Sequence, residues 1–64
     1  MNDLNLTRSE FVRLDGNLFT FDRQDQEFFL FVNFHDGQEE WVSFDEELGW
    51  VLERTGEAVE LELQ

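Results

Sequence analysis

The longest unbroken run of apolar residues lies within Glu27-Phe28-Phe29-Leu30-Phe31-Val32-Asn33-Phe34, which holds four of the eight Phe residues. In an extended chain successive side chains point to opposite faces, so Phe28, Leu30, Val32 and Phe34 share one face and Phe29 and Phe31 the other. Both faces are apolar and must be kept from water, as in a central strand of a sheet that curls on itself or is covered by another chain. A run of about eight residues rich in aromatics favours a strand over a buried helical turn. The first set is expected to face the other inward residues. Phe29 and Phe31 then need a second cover, from the N-terminal arm, a helix at 45–55 or a second copy of the chain. They are the candidate self-association residues.

Elsewhere short apolar runs alternate with turn signals. Phe11–Leu14 and Leu18–Phe21 meet across Asp15-Gly16-Asn17, where Gly supplies positive φ and Asp and Asn bond their own backbone. Residues 22–26 turn the chain into the Phe-rich strand, and His35-Asp36-Gly37-Gln38 reverses it into Glu39–Phe44, with Trp41 on the face opposite Val42 and Phe44. Trp50–Glu53 and Ala58–Leu63 flank Arg54-Thr55-Gly56-Glu57. In the last segment Val59, Leu61 and Leu63 alternate with Glu60 and Glu62. Turns centred near 16, 24, 37, 47 and 56 predict a mainly β protein: a small antiparallel meander or partly closed barrel of five to six strands centred on 27–35.

Two stretches carry a competing helical pattern. Thr7 and Glu10, with Leu6 before and Phe11 after, fit a capping box with a hydrophobic staple for a helix over 7–15. Leu48, Val51, Leu52 and Thr55 fall at helical spacing behind the acids at 45–47, which makes an α+β fold with a helix at about 45–55 the alternative. Gly49 and the β-favouring Phe, Val and Trp residues oppose both.

Composition adds three constraints. Sixty-four residues make a single small domain, read here with a loosely held arm at 1–9, and a chain this short buries only roughly 60% of its unfolded surface. With no Cys, neither disulfides nor thiolate zinc sites staple it. The N-terminus lacks a signal-peptide pattern, and no apolar run reaches the roughly 20 residues of a membrane span, so a cytoplasmic protein is expected, in the host cell if viral.

Charge redirects the functional reading. Sixteen Asp and Glu against four Arg and no Lys give a formal net charge of −12. Residues 1–32 carry six acids and three Arg, a net of −3, and residues 33–64 carry ten acids and one Arg, a net of −9. Direct binding to nucleic acid or an anionic membrane is disfavoured. A composition 41% hydrophobic and 16% aromatic is nevertheless rich enough to fold.

The inventory for catalysis is thin: one His, at position 35 in a predicted turn, no Cys or Lys, and two Ser without a nucleophile motif. No cofactor fingerprint or phosphate loop occurs, so neither an enzyme nor a cofactor is expected. Asp22, Asp25 and Glu27, or Asp45, Glu46 and Glu47, supply oxygen ligands but lack the spacing of a calcium loop, so no metal site is expected.

The acids of the second half form the informative constellation. Glu39, Glu40, Asp45, Glu46, Glu47, Glu60 and Glu62 mark turns and outward strand positions. Residues two apart on a strand sit about 6.6 Å apart, near two steps of the axial rise per nucleotide of one DNA strand. The expected function is a non-catalytic inhibitor or regulator whose acids imitate DNA phosphates and occupy the basic groove of a nucleic-acid-binding protein. Trp41 and Trp50 are candidate aromatic anchors beside them. In size, charge and lack of catalytic groups the chain is similar to the small acidic DNA mimics of phages and mobile elements, which block restriction enzymes, CRISPR effectors, repair enzymes or nucleoid proteins; no single motif carries that likeness. The alternatives are a small subunit or antitoxin-like partner of a basic protein, and a structural domain adapted to high salt.

Overall fold

The computed structural model describes residues 6–64. Six strands, β1 (Phe11–Leu14), β2 (Asn17–Asp25), β3 (Phe28–Asn33), β4 (Glu39–Asp45), β5 (Gly49–Leu52) and β6 (Leu61–Leu63), make one sheet. All pairings are antiparallel, in the order β5-β4-β3-β2-β1-β6. The Phe-rich run is the inner strand β3, bonded to β2 on one side and β4 on the other, and no helix occurs among the described residues.

The sheet curls without closing as a ladder. A register shift between Phe21 and Arg23 places a bulge at Asp22 in the longest strand, and such an extra residue bends the strand and increases its twist. The C-terminal segment then spans the gap between the two edges. Val51 bridges Ala58, the Val59 N–H donates to the Trp50 carbonyl at 2.8 Å, and two residues later Leu61 pairs with Leu14 of β1. At the crossover Asp15 and Glu60 bond twice, Asp15 N–H to the Glu60 carbonyl at 2.8 Å and Glu60 N–H to Asp15 Oδ1 at 2.9 Å. Both exposed edges, a route to aggregation in small sheets, are thereby partly paired by one strap of chain.

The core lies inside the curl. Val12, Leu14, Phe19, Phe21, Phe29, Phe31, Val42 and Val59 form it, with Leu6, Trp50, Leu52 and Leu61 packed against it. Phe31 and Phe29 are 0% and 3% exposed, with Phe21 tilted against both at centroid distances of 5.6 and 6.3 Å. This reverses the expected faces of β3. Phe29 and Phe31 point inward, so they offer no surface to a second copy of the chain, while Phe28, Leu30, Val32 and Phe34 point outward. The reason lies in the partners. Phe31 shares its register row with Phe21, and Phe29 with Val42, so the inward residues of every strand converge on the Phe29–Phe31 side. Phe34 lies beyond β3 and is 57% exposed.

Neither helical pattern folds as a helix. Asp45 Oδ1 accepts the N–H groups of Glu47 and Leu48 at 2.7 and 3.0 Å, the bonds a helix N-cap would make. The chain then reverses at Gly49, with φ at 84°, and returns as β5 to pair Phe44 with Trp50 and Val42 with Leu52. At the N-terminus Glu10 Oε1 accepts from Thr7 N–H and Thr7 Oγ1 at 3.0 and 3.2 Å, yet these bonds close a turn, because Phe11–Leu14 gain β2 as a sheet partner. Of the arm at 1–9, residues 1–5 lie outside the described residues. Leu6 packs on the core, and Ser9 N–H donates to the Phe21 carbonyl at 2.7 Å.

Candidate functional site

The antiparallel order fixes which turns share an end of the molecule. Asp25 pairs with Phe28 at the β2–β3 turn and Asp45 with Gly49 at the β4–β5 turn. Because β3 and β4 are neighbours, these two turns lie side by side and bring Asp25, Glu27, Asp45, Glu46 and Glu47 to one end. The opposite end collects the β1–β2, β3–β4 and β5–β6 connections, with Asp15, Asp36, Glu39, Glu57 and Glu60 on or beside them.

The four Arg residues are largely committed within the chain. Arg54 bonds Glu40 at 2.8 Å. Arg23 and Arg8 meet Asp22 at 2.7 and 3.4 Å. Arg13 donates to the Gly16 carbonyl at 3.0 Å. Exposed Glu39, Glu46, Glu47, Glu60 and Glu62 form no ion pair among the described residues, and neither do Asp25, Glu27, Glu53 and Glu57.

Two of the seven expected acids serve the fold. Glu40 lies in the register row of Phe31 and turns toward the mouth of the curl. There, beside Phe19, Leu52, Val59 and Arg54, it borders a cleft of about 180 Å³, with its side chain only 15% exposed. Its hydrogen bond first, and then its charge, raise the Arg54 guanidinium above its ordinary value. Asp45 is the turn cap described above. The N–H groups of Leu48 and then Glu47 hold its carboxyl below the ordinary aspartate value, since a hydrogen bond to the ionised form favours that form.

The two tryptophans separate by face. Trp50 joins the inward aromatics, edge-on to Phe29 at 5.6 Å and to Phe44 at 5.1 Å. Trp41 is on the outside, in the register row Arg23–Leu30–Trp41. The Arg23 guanidinium lies over the Trp41 ring, 5.6 Å from its centroid. Leu30 sits between the two and is only 1% exposed, so it is roofed on an otherwise solvent-facing side.

Beside that arch is a cleft of about 170 Å³ lined by Asp25, Phe28, Trp41 and Glu53. Phe28 and Trp41 are diagonal neighbours across β3 and β4, about 7–8 Å apart. The Glu53 N–H donates to the Trp41 carbonyl at 2.8 Å, which fixes Glu53 alongside. Sequence reasoning named Trp41 but missed Phe28, Asp25 and Glu53 as its companions. The available signal was their shared outward parity around Leu30, hidden by the reversed assignment of faces.

The carboxylates are spread rather than convergent: among the described residues no group of three or more His, Cys, Asp or Glu is arranged to hold a metal ion. No helix among them is long and apolar enough to cross a membrane. No family model matches the chain, and no curated protein and no solved structure matches it either.

Proposed function

We propose that this chain is a non-catalytic acidic protein that occupies the basic groove of a nucleic-acid-binding protein by presenting carboxylates in place of DNA phosphates, as an anti-restriction or anti-CRISPR inhibitor of a phage or mobile element does. The observation that carries this reading is the distribution of charge. Glu39, Glu46, Glu47, Glu60 and Glu62 are exposed without an ion pair among the described residues, while the Arg residues are engaged with Asp22, Glu40 and the Gly16 carbonyl. Like charges held together this way oppose folding by self-repulsion, and binding to Lys and Arg of a partner relieves that repulsion. Electrostatic complementarity of this kind speeds association and weakens with salt. The aromatic core speaks against the salt-adapted alternative, because Phe19, Phe21, Phe29 and Phe31 are all buried and supply a strong hydrophobic drive in dilute buffer.

The test is competition. Labelled duplex DNA is bound to each of a panel of purified basic proteins, including a restriction endonuclease, an RNA-guided nuclease and a nucleoid protein, and this chain is titrated in at low ionic strength, with poly-glutamate as control. The reading requires displacement from at least one panel member at concentrations where poly-glutamate is inactive, abolished by roughly 0.5 M salt. No displacement from any member, or displacement equal to that by poly-glutamate, overturns it. Folding that needs molar KCl would favour salt adaptation instead.

A further inference from the structure

We infer that the outer-face cleft between Phe28 and Trp41 is a receptor for a single arginine side chain of the partner, an inference that rests on the acidic-binder reading and adds a specific contact to it. The cleft combines two features. Its walls are aromatic, and its rim carries Asp25 and Glu53, neither of which forms an ion pair among the described residues. An aliphatic ligand would strand the two carboxylates, and an anion would be repelled by them. A cation with a flat apolar face satisfies both components: its face lies against the aromatic walls of Phe28 and Trp41 while its edge donates to the carboxylates.

Arginine fits better than lysine on geometry. The guanidinium is planar, more weakly hydrated than an ammonium and forked to match a carboxylate. The chain itself demonstrates the compatibility, because Arg23 already rests its guanidinium over Trp41. Arg23 is not among the residues lining the cleft, so the contact it makes leaves that space open. A volume of about 170 Å³ admits one such side-chain head and is too small for a folded element, so the backbone carrying the arginine stays outside, near the acidic turns at Asp25–Glu27 and Asp45–Glu47.

The experiment uses the full chain and two capped tripeptides, acetyl-Gly-Arg-Gly-amide and acetyl-Gly-Lys-Gly-amide, with the two indole N–H signals followed by NMR at low salt. The Arg peptide is expected to shift the Trp41 indole and the amides of Phe28 and Glu53 saturably, to leave the Trp50 indole in place, and to bind about fivefold more tightly than the Lys peptide. Glu53→Gln and Trp41→Leu, each checked for an unchanged fold by its remaining amide spectrum, are expected to weaken that binding about fivefold. Equal binding of the two peptides, or shifts spread over all acidic turns without preference for Trp41, overturns the inference. So does displacement of Arg23 from Trp41 with no signal at Glu53. Because no DNA-binding protein takes part, failure here leaves the competition result of the preceding section standing, and failure there leaves this site to be judged by the peptides alone.

Discussion

The two tryptophans carry the same side chain on adjacent strands and do different work. Trp50 leans edge-on against Phe29 and Phe44 inside the curl. Trp41 stands outside under Arg23 and walls a cleft with Phe28, Asp25 and Glu53. Strand parity alone separates them: Phe44 pairs with Trp50 and Val42 with Leu52 on the inner side, and Trp41, one residue before Val42, takes the opposite face. The lesson is a division of labour. Trp50 is surrounded by other aromatics and helps hold the fold, whereas Trp41 is bordered by the charged Arg23, Asp25 and Glu53.

The strongest way to break this division is at its centre. Phe31→Ala removes a side chain that is 0% exposed and should cost about 3–5 kcal/mol, a large share of the stability of so small a domain. Loss of a cooperative thermal transition is the expected outcome. A stable Phe31→Ala protein that loses only self-association would instead restore that residue to a dimer surface. Next comes the tryptophan pair. Trp50→Ala should cost about 2–3 kcal/mol in urea unfolding, and Trp41→Ala about 1 kcal/mol, from lost stacking with Arg23 and the uncovering of Leu30. Equal costs would erase the contrast between the faces.

A smaller effect concerns Arg23. Arg23→Ala leaves Trp41 in place but opens the roof over Leu30, so it should lower stability by about 0.5–1 kcal/mol and raise the exposure of Trp41 to acrylamide quenching. The smallest effect is in the β4–β5 turn. The Asp45 carboxyl is depressed in the folded chain, so its contribution to stability is present above its unfolded value of 3.8 and is lost as pH falls through the lower folded value. Asp45→Asn keeps an acceptor for the Glu47 and Leu48 N–H groups while removing the titration. Its stability should therefore track the parent near neutral pH and fall less steeply below about pH 4. Identical acid limbs would show that the cap is not coupled to that proton.

Much of this architecture is legible in the residues. Asp15-Gly16 announces its hairpin, and both residues take positive φ, 51° and 84°, as a tight turn between twisted strands requires. Unbroken apolar character marks 28–32 as an inner strand. What the sequence leaves open is which side of that strand is inside, because Phe28-Phe29-Leu30-Phe31-Val32 is apolar on both. The deciding residues are distant ones, Phe21 and Val42, whose register with Phe31 and Phe29 is set by the turns. Local caps misled for a related reason. The Thr7–Glu10 and Asp45 bonds satisfy the same N–H groups in a turn as in a helix start, and only the availability of a neighbouring strand separates the two outcomes. At the site, Glu40 reads as an outward acid until its pairing with Arg54 at the mouth of the curl is seen, and Phe28 reads as core until its face is known.

On the proposed function the inner aromatics fold the chain and the outer acids bind, and neutralising the acids alone separates the two roles. A variant carrying Glu39→Gln, Glu46→Gln, Glu47→Gln, Glu60→Gln and Glu62→Gln leaves the core, the Asp45 cap and the Glu40–Arg54 pair intact. In the duplex-displacement assay, with thermal unfolding measured in parallel, this variant is predicted to unfold at or above the temperature of the parent, because self-repulsion is relieved, and to lose at least tenfold in displacement. Displacement equal to that by the parent from a folded variant would show that these five acids do not carry the binding.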